Sequence, residues 1–223
     1  MLLEELRKTV CEQNKALVDN GLVLWTSGNV SARDPETNYV VIKPSGVLFH
    51  ELTPEKMVVV DLEGNVIDGD LKPSVDTASH LYVYRHRDDV NGIVHTHSPY
   101  ATSFAITGEP LQIYTTTSAA VFGRPVPVSD FAVIGEEEIG KEIVEKIGDG
   151  EAILIRNHGV FTIGNTSEKA LKNAVVLEET AQSVHYAMLR QKIEPLSDEV
   201  VKRGYDIYNR TYGQEGKNPL MEK

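Results

Sequence analysis

The run Gly92-Ile93-Val94-His95-Thr96-His97-Ser98 is apolar and closes on two histidines one position apart. Side chains alternate faces along a β-strand, so residues i and i+2 point the same way. As a strand, this run sends both imidazoles toward one point. Neutral imidazole is the commonest ligand for zinc and similar metals. A third histidine, His158, stands in Arg156-Asn157-His158-Gly159 after another apolar run, and Asp76 offers a carboxylate upstream. One Asp and three His form a set for a catalytic metal, provided the fold gathers them.

The remaining patterns predict what that fold contains. Leu2, Leu3, Leu6, Val10, Leu17 and Val18 recur at helical spacing, and Gly21 ends the helix. A Ser27-Gly28-Asn29 turn follows. Tyr39–Ile42 reads as a strand, Thr53-Pro54-Glu55 as a helix start, and Met57–Val60 with Asn65–Ile67 as a hairpin around Glu63-Gly64. A helix is expected over Ala78–Arg87, a strand over Val90–His97, a helix over Ser98–Ala105 and a short strand over Leu111–Thr115. Val126-Pro127-Val128 is extended and, with its proline, an edge strand at most. Gly135–Ile147 is an amphipathic helix closed by Gly148. Ala152–Ile155 and Val160–Ile163 flank His158-Gly159. Ser167 caps a long helix, Glu168–Gln191, and Ser197 caps a last one. Neither linker nor repeat interrupts residues 1–223, so the expectation is one α/β domain. Tight turns between several strands predict a mixed or antiparallel sheet covered by helices.

A net charge of -11 argues against nucleic acid or an anionic membrane as partner. Backbone N–H groups still hold a single phosphate locally. With one cysteine, Cys11, no intrachain disulfide forms, which fits a reducing cytoplasm. Cys11 lies on a helical pattern with Val10 and Leu17 and reads as a small buried hydrophobe. Met1-Leu2-Leu3-Glu4-Glu5-Leu6-Arg7 does not read as a signal peptide, and no apolar stretch is long enough to span a bilayer.

A structural zinc site would recruit thiolates, which this chain lacks. Three imidazoles with a labile carboxylate leave room for substrate oxygens and favour a Lewis acid. His50, His80, His86 and His185 read as surface or packing residues, although His80 lies one helical turn from Asp76 on the same side. Three small-residue turns, Thr26-Ser27-Gly28-Asn29, Pro44-Ser45-Gly46 and Pro73-Ser74-Val75, would cradle a phosphate if they converged. Each alone is a turn signal. No Walker or Rossmann glycine pattern occurs.

Six segments in order resemble the class II aldolase/adducin family, which includes L-fuculose-1-phosphate aldolase and L-ribulose-5-phosphate 4-epimerase. They are Thr26-Ser27-Gly28-Asn29-Val30-Ser31, Ile42-Lys43-Pro44-Ser45-Gly46, Lys72-Pro73-Ser74-Val75-Asp76-Thr77, Gly92-Ile93-Val94-His95-Thr96-His97-Ser98, Asn157-His158-Gly159 and Thr211-Tyr212-Gly213-Gln214. The resemblance implies a three-layer α/β/α fold around a mainly antiparallel sheet, and a C4 homotetramer with sites between subunits. It implies zinc on His95, His97 and His158, with Asp76 as a further ligand or as a base. Phosphate would be bound by Gly28, Asn29, Lys43, Ser45, Gly46 and Ser74. Tyr212, which by itself reads as an aromatic near a frayed end, would enter the neighbouring subunit's site and handle a proton.

Within the family, Asp76 in place of the aldolases' glutamate is epimerase-like, as are Lys43 and Tyr212-Gly213-Gln214. Against that, Ala120 stands where the epimerases carry an aspartate, and the interval from His97 to His158 has the shorter aldolase length. Val75 replaces a serine common in the phosphate turn. Epimerisation needs an acid/base group on each aldehyde face, and Ala120 supplies none, whereas an aldolase needs only Tyr212. The reading is therefore a zinc-dependent aldolase that cleaves a ketose phosphate, through an enediolate held on zinc, to dihydroxyacetone phosphate and an aldehyde. The 4-epimerase is the alternative. A non-catalytic adducin-like module and a dehydrating lyase on the same scaffold are remoter. Manganese or cobalt would also suit three imidazoles and a carboxylate.

Overall fold

Short β-branched runs build the sheet, and their two-residue period decides which side chains meet which helices. The computed structural model describes residues 1–213. Its strands are β1 (Asn29–Arg33), β2 (Val40–Ile42), β3 (Val58–Val60), β4 (Val66–Asp68), β5 (Gly92–Thr96), β6 (Ala152–Ile155) and β7 (Gly159–Gly164). They hydrogen-bond in the order β4-β3-β2-β1-β5-β7-β6, every neighbouring pair antiparallel. The helices are α1 (Glu4–Asp19), α2 (Thr77–His86), α3 (Pro99–Thr107), α4 (Thr116–Phe122), α5 (Glu138–Ile147), α6 (Ser167–Met188) and α7 (Asp198–Thr211).

Alternate residues of the strands fill opposite faces. Val40, Ile42, Val58, Val60, Ile93, Phe161 and Ile163 pack against Leu81 and Tyr84 of α2 and Ile139 and Ile143 of α5. Val30, Val41, Val59 and Val94 pack against Val10 and Leu17 of α1 and Ala170 and Ala174 of α6. Each face removes apolar area from water at about 25 cal/mol per Å², which makes the sandwich of helix, sheet and helix the stable arrangement. A further apolar cluster joins α3, α4, α6 and α7 to Leu154 and Val160. This is the three-layer antiparallel architecture expected, and Cys11 is buried in it as anticipated. Among the described residues no helix is long and apolar enough to cross a membrane.

Several local expectations are corrected. β1 was not anticipated, because its polar members Asn29, Ser31 and Arg33 are all buried and mask the alternation. Thr53-Pro54-Glu55 opens only a 3-10 turn, Pro54–Lys56. Leu111–Thr115 is not a strand: it makes one isolated bridge, Leu111 to Val126, and Thr115 then caps the unforeseen helix α4 through its side chain and the Ser118 N–H. α6 is capped by the hydroxyl of Thr166, which accepts from the Lys169 N–H, rather than by Ser167. Ser197 precedes α7 without a side-chain capping bond.

Candidate metal centre and its surroundings

Three elements deliver the histidines. β5 lies between β1 and β7, and its register sets His95 opposite Asn29 on one side and Phe161 on the other. His158 ends the β6–β7 turn, which closes with a hydrogen bond from the His158 N–H to the Ile155 carbonyl. Asn157, within that turn, adopts φ 57°, a left-handed conformation that Asn tolerates better than most side chains. Gly159 then lets β7 start hard against the end of β5. A Cβ there would lie 2.4 Å from the Thr96 carbonyl oxygen and 2.7 Å from the His97 ring.

The result is one group of imidazoles. Ligand nitrogens of His95, His97 and His158 all lie within 4.8 Å of one another. His95 Nε2 and His97 Nε2 are 3.1 Å apart. His95 Nδ1 faces the Val160 carbonyl oxygen at 3.0 Å. That carbonyl only accepts, so Nδ1 carries the proton and Nε2 presents its lone pair to the cluster. Phe161 stacks on the His95 ring at 4.2 Å and 19° and fixes its plane. Burial pushes His95 down to about 3, against the pull of the Asp76 charge. Burial likewise lowers His97 and His158. All three are neutral at pH 7, the form that binds metal. His158 Nδ1 is buried without a hydrogen-bond partner among the described residues. These donors fit a divalent ion. Three nitrogens with no thiolate match a centre that keeps positions open for substrate.

Asp76 sits at the start of α2, but its carboxylate is not among the ligand atoms within 4.8 Å of one another. Asn29 Nδ2 donates to it at 2.7 Å and Ser74 Oγ at 3.2 Å. Burial alone would raise this carboxyl. The nearby His95 and His80 imidazoles and the two hydrogen bonds outweigh it, so the group lies below its ordinary value.

The three small-residue turns converge. Asn29 Nδ2 also reaches Ser74 Oγ at 3.1 Å, Pro44 bridges to Pro73, and Lys43 Nζ donates to the Thr26 carbonyl at 3.2 Å. The joining consumes two donors expected to be free. The Ser45 N–H bonds to the Lys72 carbonyl and the Ser74 N–H to the Lys43 carbonyl. For an anion the turns still offer hydroxyl groups, the open space beside Gly46, and Lys43, whose Nζ is partly engaged by the Thr26 carbonyl. Burial pushes Lys43 down to about 8, with the Asp76 charge opposing, and its ammonium lies 4.8 Å over the Phe49 ring. At Gly28 a Cβ would lie 2.6 Å from Val23 and 2.9 Å from the His95 carbonyl oxygen, so only glycine lets this turn close beneath the histidine strand. Val75 is exposed.

His80 is not a ligand but a buried support. Its Nδ1 pairs with Ser31 Oγ at 2.7 Å, which also meets the Tyr84 hydroxyl at 2.8 Å, and its ring edge meets Phe161. Phe161, Ser31 and Tyr84 were missed in the sequence; they read as ordinary strand and helix residues, and only the register puts them behind the site. Burial lowers His80 to about 4 from 6.5. Between those values the unfolded chain binds the extra proton. Stability is therefore whole above pH 6.5 and is lost as pH falls through 4, by about 3 kcal/mol from this ring. Urea unfolding of metal-free protein should weaken across that window, with the His80 imidazole NMR signals unchanged down to about pH 5. Titration of that ring near its ordinary value would contradict the assignment.

Tyr212 lies elsewhere. It follows α7, is 67% exposed, and stacks on Tyr208 at 4.3 Å. It shares a cleft with Ala120 that no cluster histidine lines. Gln214 lies outside the described residues.

An antiparallel sheet between helices, with imidazoles gathered at a strand end, agrees with what the sequence matches. Residues 8–185 fit the Class II Aldolase and Adducin N-terminal domain, and the chain belongs to that family. Among solved structures it resembles an L-fuculose 1-phosphate aldolase with a TM-score of 0.87 and 30% identity, covering 94% of this chain and 98% of that one. The l-fuculose-1-phosphate aldolase from Thermus thermophilus gives 0.72 and 30%, over 86% and 98%. YgbL from Klebsiella pneumoniae, a putative aldolase/epimerase/decarboxylase, gives 0.81 and 28%, over 91% and 99%.

Proposed function

We propose that this protein is a metal-dependent sugar-phosphate aldolase, acting on L-fuculose 1-phosphate or a close analogue to release dihydroxyacetone phosphate and an aldehyde. The observation that supports it most is the convergence of three neutral imidazoles, one with its tautomer fixed, beside an ionised carboxylate. Zinc is the proposed ion, with manganese or cobalt as substitutes. Held by His95, His97 and His158, it would supply Lewis acidity to the carbonyl and neighbouring hydroxyl of the ketose.

The chain's own groups then divide the proton work. In the direction of synthesis, Asp76 removes a proton from the carbon next to the donor ketone. The freed electron pair attacks the aldehyde carbon, and the Tyr212 hydroxyl protonates the aldehyde oxygen. Cleavage runs the same transfers backwards. Asn29 and Ser74 hold Asp76 in place, and the turns carrying Ser45, Gly46 and Lys43 take the phosphate. Tyr212 is exposed and sits in a cleft that no cluster histidine of its own chain lines, which supports a homotetramer in which it completes a neighbour's site. A lone free cysteine suits the reducing cytoplasm proposed as its location.

The second reading is L-ribulose-5-phosphate 4-epimerase, by the same bond cleavage and rejoining. Ala120 lines the Tyr212 cleft and offers no second proton-transfer group there, which favours the aldolase. Zinc-loaded protein is to be incubated with L-fuculose 1-phosphate and with L-ribulose 5-phosphate. Release of dihydroxyacetone phosphate from the first is expected. Rapid interconversion of the second without cleavage of either would reverse the choice.

A further inference from the structure

The cleft around Tyr212 has a chemistry that the proton-donor role does not use. It occupies about 450 Å³ between α4, α6 and α7, and Thr116, Thr117, Ala120, Lys172, Tyr208 and Tyr212 are among its walls. Lys172 Nζ stands 4.8 Å from the Tyr208 ring centre and 5.3 Å from that of Tyr212. Other lysines of this acidic chain, such as Lys146, Lys169 and Lys202, reach carboxylates. Lys172 makes no ion pair among the described residues and rests on two aromatic faces instead. Ring faces attract an ammonium through their quadrupole but take none of its three hydrogen bonds directionally. The cleft therefore offers an ammonium with unspent donors on a largely apolar wall. Thr116 and Thr117 are exposed at its edge, with hydroxyls in no hydrogen bond among the described residues. Ala120 brings no carboxylate that would neutralise the lysine.

We propose that this cleft receives the aldehyde half of the substrate, and that Lys172, aided by Thr116 and Thr117, selects an aldehyde bearing an anionic group, carboxylate or phosphate. The inference rests on reading Tyr212 as the proton donor to the aldehyde oxygen, and it narrows the proposed substrate from L-fuculose 1-phosphate itself, whose aldehyde half is neutral, to an analogue whose aldehyde half carries the charge. The reaction remains aldol addition and cleavage: one C–C bond forms or breaks, one proton passes from carbon to Asp76 and another from Tyr212 to the aldehyde oxygen, and nothing is oxidised. Lys172 adds a contact at the far end of the aldehyde, which lowers KM for the charged substrate and leaves bond-making to the other groups.

The test is run in the direction of synthesis with zinc-loaded enzyme and dihydroxyacetone phosphate as donor. The acceptors are glycolaldehyde and L-lactaldehyde as neutral arms, glyoxylate as the carboxylate arm and glycolaldehyde phosphate as the phosphate arm. At least one anionic acceptor should exceed the neutral ones in kcat/KM by about tenfold, the worth of one charge-assisted contact. Which anionic arm wins identifies the group. In Lys172→Met the ratio of anionic to neutral kcat/KM should fall to near unity through KM, and in Lys172→Arg it should persist. A lysine that merely propped Tyr212 would instead slow every acceptor alike, which overturns the proposal. So would equal use of all acceptors by the wild type, or a preference that survives Lys172→Met. Failure to join any acceptor would instead overturn the aldolase reading itself, and this inference with it.

Discussion

His97→Ala should lose the divalent ion and reduce cleavage of the sugar phosphate by about 10³-fold or more, since a Lewis acid supplies several kcal/mol of transition-state stabilisation. His97 is the cleanest of the three to replace. It is the most solvent-exposed of the three, whereas His95 is buried and stacked on Phe161, so removal of His95 would also leave a cavity. The fold should therefore survive, with an unchanged circular dichroism spectrum and a metal content near zero after dialysis. Two measurements check it: bound metal by mass spectrometry, and release of dihydroxyacetone phosphate in a coupled assay. Full activity in a variant that retains no metal would remove the ion from the chemistry.

Tyr212→Phe should retain the metal and substrate affinity while kcat falls by about 10² to 10⁴-fold, the usual contribution of a positioned proton donor. Its stacking on Tyr208 is preserved, because only the hydroxyl is deleted. The variant also tests the shared site. Tyr212→Phe and His97→Ala subunits are each defective, but in a mixed ring some wild-type clusters face a wild-type tyrosine. Random mixing at equal ratio in a C4 assembly restores about a quarter of the sites. No recovery on mixing, with both variants assembled, would argue that the tyrosine serves its own chain or none.

Much of this was readable before the fold was known, for a physical reason. His95 and His97 share a strand face because the period is two, and His158 follows a second apolar run that had to enter the same sheet. Helices with long apolar stripes, α1, α5 and α6, were located within a few residues. What stayed hidden depends on register. Nothing local says that Val160 offers its carbonyl to His95, or that Phe161 lies against that ring. Nor did composition reveal that the turns at Ser45 and Ser74 use their own N–H groups to bind each other. β1 was missed because its buried polar residues serve the site: Asn29 holds Asp76 and Ser31 holds His80. Tyr212 carries no signal in its neighbourhood of polar, exposed residues, and its assignment came from resemblance alone.

The central claim is that His95, His97 and His158 together bind one divalent ion. Anomalous diffraction at the zinc edge, from crystals of zinc-loaded protein, tests it most directly. The account predicts one strong peak per chain with all three imidazole nitrogens at about 2.0–2.1 Å. A peak away from those rings, or none at saturating zinc, would contradict it.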